Sequence, residues 1–245
     1  MCGRFNLRTP ASELAAFFDI AFDPPLQTTL APRFNIAPSQ PILVARGAST
    51  ATGGRDWAML SWGLVPSWAK DPTIGNRMIN ARCETIAEKP SFRSAFRRRR
   101  CLVACSGFYE WQKIDSVRKQ PWHIHCLDDS PVGLAAIWEH WETDDGSVLE
   151  SCAIITTEAN NQMAPIHHRM PVLLDRSHFD EWLDPAHDDQ QRLQSLLVPC
   201  PDSTLVANPI DTWVNRPANE GPDCLRPAGT SDTCPSAPRP GTLFR

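Results

Sequence analysis

The chain has 245 residues, 42% hydrophobic and 21% charged, with a formal net charge of −4. These values describe an ordinary globular chain with a real core and exclude a wholly disordered chain, a collagen and a coiled coil. No apolar run approaches the roughly 20 residues of a membrane-spanning helix, and no apolar leader stands at the start, so a cytoplasmic protein is expected.

In chain order, Thr9 and Pro10 introduce a helix over residues 11–18, with Thr9 at N-cap and Pro10 at N1. Residues 23–30 read as a proline-containing connection. Residues 41–46 and 56–62 read as strands, residues 66–75 as a loop, and residues 84–88 and 91–99 as short helices. Five strand-like runs follow, at residues 101–104, 108–113, 122–127, 132–141 and 149–157. Residues 175–183 and 189–197 read as helices. The expected fold class is α+β: a twisted, mainly antiparallel sheet curled toward a barrel, with peripheral short helices. Residues 1–227 are expected to form one domain, and residues 228–245, rich in Pro, Ser and Thr, a disordered tail.

Charge is unevenly spread. Residues 76–100 hold eight cations against Glu84 and Glu88, so this segment is +6 and the remainder −10. A concentrated basic stretch in an acidic chain suggests a local polyanion site; a solvated charge run explains the Arg97–Arg100 block equally well. The 9 cysteines are an odd number, and with no secretory signal they read as buried thiols.

Cys2 stands apart. A small residue at position 2 permits removal of Met1, which would leave an α-amine beside the thiol. Both groups are partly active near neutral pH, with reference values of about 8 for the amine and about 8.5 for the thiol. Two chemistries follow. A thiolate can attack an acyl carbon with the amine as its base. Alternatively the amine condenses with an aldehyde and the thiol closes a thiazolidine. Elsewhere, Glu110 sits in the aromatic run Gly107-Phe108-Tyr109-Glu110-Trp111, where desolvation would raise its pKa and fit it for proton transfer. His167 lies near Arg169 in His167-His168-Arg169-Met170-Pro171. Each also has an ordinary structural reading, as a paired strand residue and a satisfied core histidine.

Taken together, the ordered motifs resemble one family. They are Met1-Cys2-Gly3-Arg4-Phe5, Arg33-Phe34-Asn35-Ile36-Ala37-Pro38, Trp62-Gly63-Leu64-Val65-Pro66-Ser67-Trp68-Ala69, and Asn80-Ala81-Arg82-Cys83-Glu84-Thr85. The glutamate run follows, then Ala136-Ile137-Trp138-Glu139, and Ile154-Ile155-Thr156-Thr157 leading to the histidine run. The chain resembles the SRAP family, the SOS-response-associated peptidases or abasic site processing proteins, over residues 1 to about 227.

The resemblance implies that Cys2, freed by autocatalytic loss of Met1, bonds covalently to the ring-opened aldehyde of an abasic site in single-stranded DNA. It implies that Asn80 holds the Cys2 amine, that Glu110 assists proton transfer, and that His167 is the acid/base for ring opening and reversal. Arg82 and Arg169 match phosphate contacts; Asn35, Pro38, Trp68 and Arg4 match a DNA-facing surface. The expected partner is single-stranded DNA carrying abasic sites, for a monomer with no cofactor, metal or membrane, placed at the nucleoid if bacterial. The self-processing step makes it of hydrolase and protease type, the trapping of lyase type. Ala104-Cys105-Ser106 and His168 depart from the family pattern.

Two alternatives remain. A class II glutamine amidotransferase also begins Met-Cys-Gly, although nothing downstream follows it. Cys101, Cys105, His123, His125 and Cys126 form the inventory of a zinc-binding module, but alternation sets Cys126 opposite the two histidines.

Overall fold

A computed structural model of the chain describes residues 2–23, 26–27, 30–48, 54–143 and 145–229. The expected tail falls almost wholly outside these residues. The chain begins with β1 (Phe5–Leu7), α1 (Ala11–Phe18), β2 (Arg33–Ile36), β3 (Pro41–Gly47), β4 (Arg55–Trp62) and β5 (Asn80–Arg82). After α2 (Arg93–Arg98) come β6 (Arg100–Cys105), β7 (Gly107–Lys113), β8 (Lys119–Cys126), β9 (Val132–Glu142) and β10 (Val148–Glu158). The chain closes with β11 (Arg169–Pro171), β12 (Leu173–Leu174), α3 (Phe179–Leu183), α4 (Gln190–Ser195) and β13 (Leu205–Pro209).

The mainly antiparallel strands make the expected barrel-like sheet and a second, open sheet, around a main core and a smaller cluster of Tyr109, Ile210, Val214 and Cys224. In the larger sheet, β4, β3, β6, β9 and β10 pair in turn and close on themselves as a five-stranded barrel. The closing seam is a short parallel contact, Ser151 with Ser61 and Cys152 with Trp62. Each side chain of β6 is buried, which matches its unbroken apolar run. The second sheet is open, in the order β13-β8-β7-β1-β2.

A single residue, Ser106, separates β6 of the barrel from β7 of the open sheet. Its hydroxyl accepts the N–H groups of Arg8 and Thr9 at 2.9 and 3.0 Å and bonds the Thr9 hydroxyl at 2.6 Å. Thr9 is thereby drawn away from α1. The N-cap is Pro10, with no side-chain cap, and not Thr9 as expected. Gly107 must follow Ser106 directly, because a Cβ there would lie 2.4 Å from His123 Nε2 and 2.9 Å from the Ile124 carbonyl. The glutamate run thus enters the second sheet within a few residues of leaving the barrel.

Other expectations shift in detail. Residues 84–88 form hydrogen-bonded turns, with Glu88 and Lys89 both donating to the Thr85 carbonyl, and no helix. Residues 175–183 divide into a 3-10 turn, Arg176–His178, and α3. The loop after Pro66 contains a 3-10 turn, Pro72–Arg77, capped by the Asp71 carboxylate. Short helices cover the barrel: Phe18 of α1 is fully buried, stacked on Phe179 at 5.5 Å and edge-on to Trp57 at 5.1 Å. Full burial of such a ring contributes about 2–3 kcal/mol.

Candidate active site

The site lies where the two sheets meet. Pairing of β1 with β7 continues past Phe5, since Tyr109 N–H donates to the Arg4 carbonyl at 2.9 Å. Residues 2–4 are thereby laid along β7. From the barrel side, β5 extends the line begun by β4 and pairs in parallel with β10, Asn80 opposite Ile154. Asn80 Nδ2 donates to the Cys2 carbonyl at 2.8 Å, bridging the sheets.

Cys2 is fully buried, its thiol 3.9 Å from the Arg4 carbonyl. Burial pushes this thiol well above the ordinary range, and the neighbouring Glu110 and Cys105 push the same way. Glu110, on β7, is 3% exposed, and desolvation raises its carboxyl. The Asn80 Oδ1 atom is buried and accepts no hydrogen bond among the described residues, which leaves one acceptor beside Cys2 open there.

His167 comes from the turns between β10 and β11. Gln112 shares the Glu110 face of β7 by strand alternation. Its Nε2 donates to the Pro165 carbonyl at 3.0 Å, which holds the turns over that face. His167 is half-buried, and burial pushes its imidazole down. Arg169 N–H lies 3.0 Å from Nδ1, and the Arg169 carbonyl lies 3.1 Å from the same atom. The ring accepts from that N–H when its proton is on Nε2, and donates to that carbonyl when Nδ1 carries a proton. One residue therefore holds the ring in either protonation state. His168 is exposed and stacks on His167 at 4.4 Å; the charge of His167 pushes it down.

The expected nucleic-acid contacts divide by position. Arg82 is exposed at the end of β5, its side chain making no hydrogen bond or ion pair among the described residues, and Trp68 is 58% exposed on a turn. Pro38 is half-buried in the turn after β2. Asn35 is not at a surface as expected: it is fully buried, and its Nδ2 donates to the carbonyls of Val214, Arg216 and Asn219 at 3.2, 3.0 and 2.8 Å. Arg4 supports the same segment, donating to Asn35 Oδ1 at 2.7 Å and to the Val214 carbonyl at 2.9 Å, over the Trp111 ring. Arg169 is 6% exposed; its guanidinium pairs with both oxygens of Glu84 and donates to the Thr156 carbonyl at 2.6 Å. Asn35 and Arg169 are buried and Arg4 half-buried, because their donors satisfy backbone carbonyls that would otherwise lose hydrogen bonds, Arg169 also pairing with the exposed Glu84.

Sequence reading missed the polar network behind Cys2. Tyr109 donates its hydroxyl proton to the Phe34 carbonyl at 2.6 Å and accepts from Asn6 Nδ2 at 3.2 Å; the same amide nitrogen lies 3.0 Å from His123 Nε2. Asn6 and Tyr109 are fully buried. The only tyrosine of the chain, beside Glu110, was the available signal. The residues of the zinc alternative have other partners: His123 the Asn6 amide, His125 the Asp129 carboxylate at 2.9 Å and the Asn208 amide at 3.1 Å. Among the described residues, no group of three metal-ligating side chains is assembled.

Comparison with known proteins decides the family. Residues 1–217 match the family described as SOS response associated peptidase (SRAP). The chain belongs to the SRAP family. The abasic site processing protein YoaM of Bacillus subtilis is 41% identical over 228 residues, covering 92% of this chain and 97% of the relative. The abasic site processing protein HMCES of Mus musculus is 32% identical over 232 residues, 80% of this chain and 65% of the relative. Among solved structures, a Bacteroides thetaiotaomicron protein superposes with a TM-score of 0.82 at 27% identity, covering 93% of this chain and all of the other. A phage-related protein of Bordetella bronchiseptica superposes at 0.68 with 26% identity, over 85% and 94%. The SRAP fold is thus shared, barrel and open sheet together. No helix among the described residues is long and apolar enough to cross a membrane.

Proposed function

We propose that this SRAP protein processes abasic sites in DNA by trapping them covalently in single strands through Cys2. The observation that carries the reading is the assembly around residue 2. A buried thiol, a buried carboxyl whose pKa is raised, and an asparagine bonded to the Cys2 carbonyl with a second buried acceptor open all meet at one sheet junction.

The first step hydrolyses the Met1–Cys2 bond, consuming one water and freeing the Cys2 amine. Asn80 Oδ1 then accepts a hydrogen from that amine and aims its lone pair. Abasic deoxyribose is mostly ring-closed; His167, in its charged form, donates the Nε2 proton to the ring oxygen and recovers one from the anomeric hydroxyl as the sugar opens to its aldehyde. The amine adds to the aldehyde carbon, and the neutral Glu110 carboxyl protonates the departing hydroxyl, which leaves as water, and regains a proton from the nitrogen. The thiol then adds across the resulting C=N bond, sulfur to carbon and hydrogen to nitrogen, closing a thiazolidine. Aldehyde and aminothiol thus combine with the net loss of one water.

A missing base leaves no edge to read, so binding rests on phosphate charge and stacking. Arg82 and Trp68 are the exposed groups suited to this, and Pro38 is half-exposed in the turn after β2. Arg4, Asn35 and Arg169 act through the segments they brace. The buried, raised thiol weighs against an amidotransferase, because a thiolate nucleophile needs a lowered pKa.

The test mixes the purified protein with single-stranded DNA carrying one abasic site and takes a denaturing gel and an intact mass. A heat-stable adduct on protein lacking Met1, absent for Cys2→Ala while non-covalent binding persists, is expected. An adduct that survives Cys2→Ala refutes the assignment.

A further inference from the structure

The Arg97–Arg100 run divides in two. Arg99 bonds Glu139 at 2.7 Å, and Arg100 is buried, donating to the Trp182 carbonyl at 2.6 Å and the Phe96 carbonyl at 3.0 Å. These two are internal struts. Arg97 and Arg98 point outward with Arg93 and Lys89, and none of the four has a hydrogen bond through its side chain or an ion pair among the described residues.

Arg93, Arg97 and Arg98 line a concave pocket of about 450 Å³, completed by Ala87, Ser94 and Gln190. Residues 93 and 97 are one helical turn apart, so like charges face each other without a counter-ion, an arrangement that disfavours the helix. The large exposed apolar side chains of the described residues all lie elsewhere, at Met59, Trp68, Ile114, Val117, Leu127, Val148, Val198 and Trp213. A protein interface would need such anchors at its centre. Guanidinium forks around a polar hollow suit phosphate oxygens.

A compact turn links the pocket to Arg82. Residues 83–89 form a compact turn, tied by Lys89 N–H to the Thr85 carbonyl at 3.0 Å and by Gln194 Nε2 to the Cys83 carbonyl at 3.2 Å. Arg82 and Lys89 therefore stand well under the ~25 Å that seven extended residues would span.

We propose that Lys89, Arg93, Arg97 and Arg98 form a second phosphate-backbone site, which takes the DNA strand as it leaves the Cys2 site past Arg82. The proposal rests on the DNA-trapping reading above. It adds a cationic track on α2 that lies outside the motifs of the catalytic site.

The test uses the full chain and the Arg93→Gln/Arg97→Gln/Arg98→Gln variant, with labelled undamaged oligothymidylates of about 5 and about 25 nucleotides, spanning the usual single-strand site sizes. The short strand should bind both proteins within about twofold. The long strand should bind the variant about ten- to a hundredfold more weakly at ~0.1 M salt, with a log–log salt slope shallower by about 2, from three lost phosphate contacts. The corresponding triple lysine variant should restore most of the loss. Crosslinking to a short abasic-site strand should be unchanged. Equal long-strand affinity and slope for parent and variant would overturn the proposal, as would failure of the lysine variant to recover binding. Failure of the parent to crosslink any abasic strand is a separate result: it defeats the trapping reading, while the undamaged-strand comparison still decides the track.

Discussion

The His123 imidazole should make this fold acid-sensitive well above the range where carboxylates titrate. His123 is 5% exposed; burial, and behind it the neighbouring His125 and Arg8, push its pKa down to about 3. The folded value lies below the unfolded value of about 6.5, so between these limits the unfolded chain binds a proton that the folded chain refuses. Stability from this group is complete above the unfolded value and is lost as pH falls from about 6.5 toward 3. Between pH 7.5 and 5.0 the loss amounts to about 2 kcal/mol. That corresponds to about 1 M in the urea midpoint. Asn6 Nδ2 lies 3.0 Å from Nε2 and donates to it only while that nitrogen is unprotonated. His123→Gln keeps an acceptor near Asn6 and removes the titration. Urea unfolding of both proteins at the two pH values isolates the effect, because the lowered His167 and His168 contribute to both alike. The variant should lose about 2 kcal/mol less than the parent on acidification. An identical acid loss in the two proteins would refute the reasoning.

Three other outcomes are expected. Glu110→Gln should slow adduct formation about a hundredfold in single-turnover gels, the range of a lost acid–base group. The same change should leave the melting temperature at pH 7.5 unchanged or raised, because desolvation opposes the ionised carboxylate and the neutral amide escapes that cost; a clear fall in melting temperature would contradict it. Asn80→Ala should slow trapping at least tenfold while preserving undamaged-strand binding, since the lost amide holds the Cys2 carbonyl and reaches no phosphate; normal trapping kinetics would reduce Asn80 to a brace. Gly63→Ala should destabilise by about 1–3 kcal/mol, the cost of a side chain in a rare backbone region. Gly63 has φ +134° and its added Cβ would lie 2.6 Å from the Gly75 carbonyl, so unaltered thermal unfolding would refute the close approach.

The long strands were legible in the sequence because each carries enough apolar or alternating residues to declare itself. β9 and β10 have 11 residues each and appeared with nearly their observed limits. The missed strands β1, β2, β5, β11, β12 and β13 have 2–5 residues each. They are strands because a neighbour distant in sequence pairs with them, which no local pattern reports. The site shows the same division. Cys2, Asn80, Glu110 and His167 stood out by chemical type and motif, and the structure gathers them at the sheet junction. The directions of Asn35, Arg4 and Arg169 were illegible, since a polar side chain in a motif looks the same whether it meets a phosphate or a buried carbonyl. The Asn35 amide turned inward because residues 214–219 return across β2, a contact nearly 180 residues distant in sequence.

The protonation states at the junction favour one order of events. Burial raises the Cys2 thiol and the Glu110 carboxyl and lowers the His167 imidazole, so all three are driven toward their neutral forms. A neutral carboxyl can give up its proton, and an imidazole with a lowered pKa gives its proton up readily once charged. A neutral thiol is a poor first nucleophile but retains the hydrogen that must reach nitrogen when sulfur closes the ring. Under the proposed trapping reaction, a site with this bias activates the aldehyde and the leaving hydroxyl by proton donation and lets the amine attack first. A site built for thiolate attack would need the reverse: a depressed thiol and a base ready to take its proton. Desolvation, the leading cause at each of the three groups, comes from packing the start of the chain between two sheets. The same burial that anchors β1 therefore sets the chemistry of residue 2.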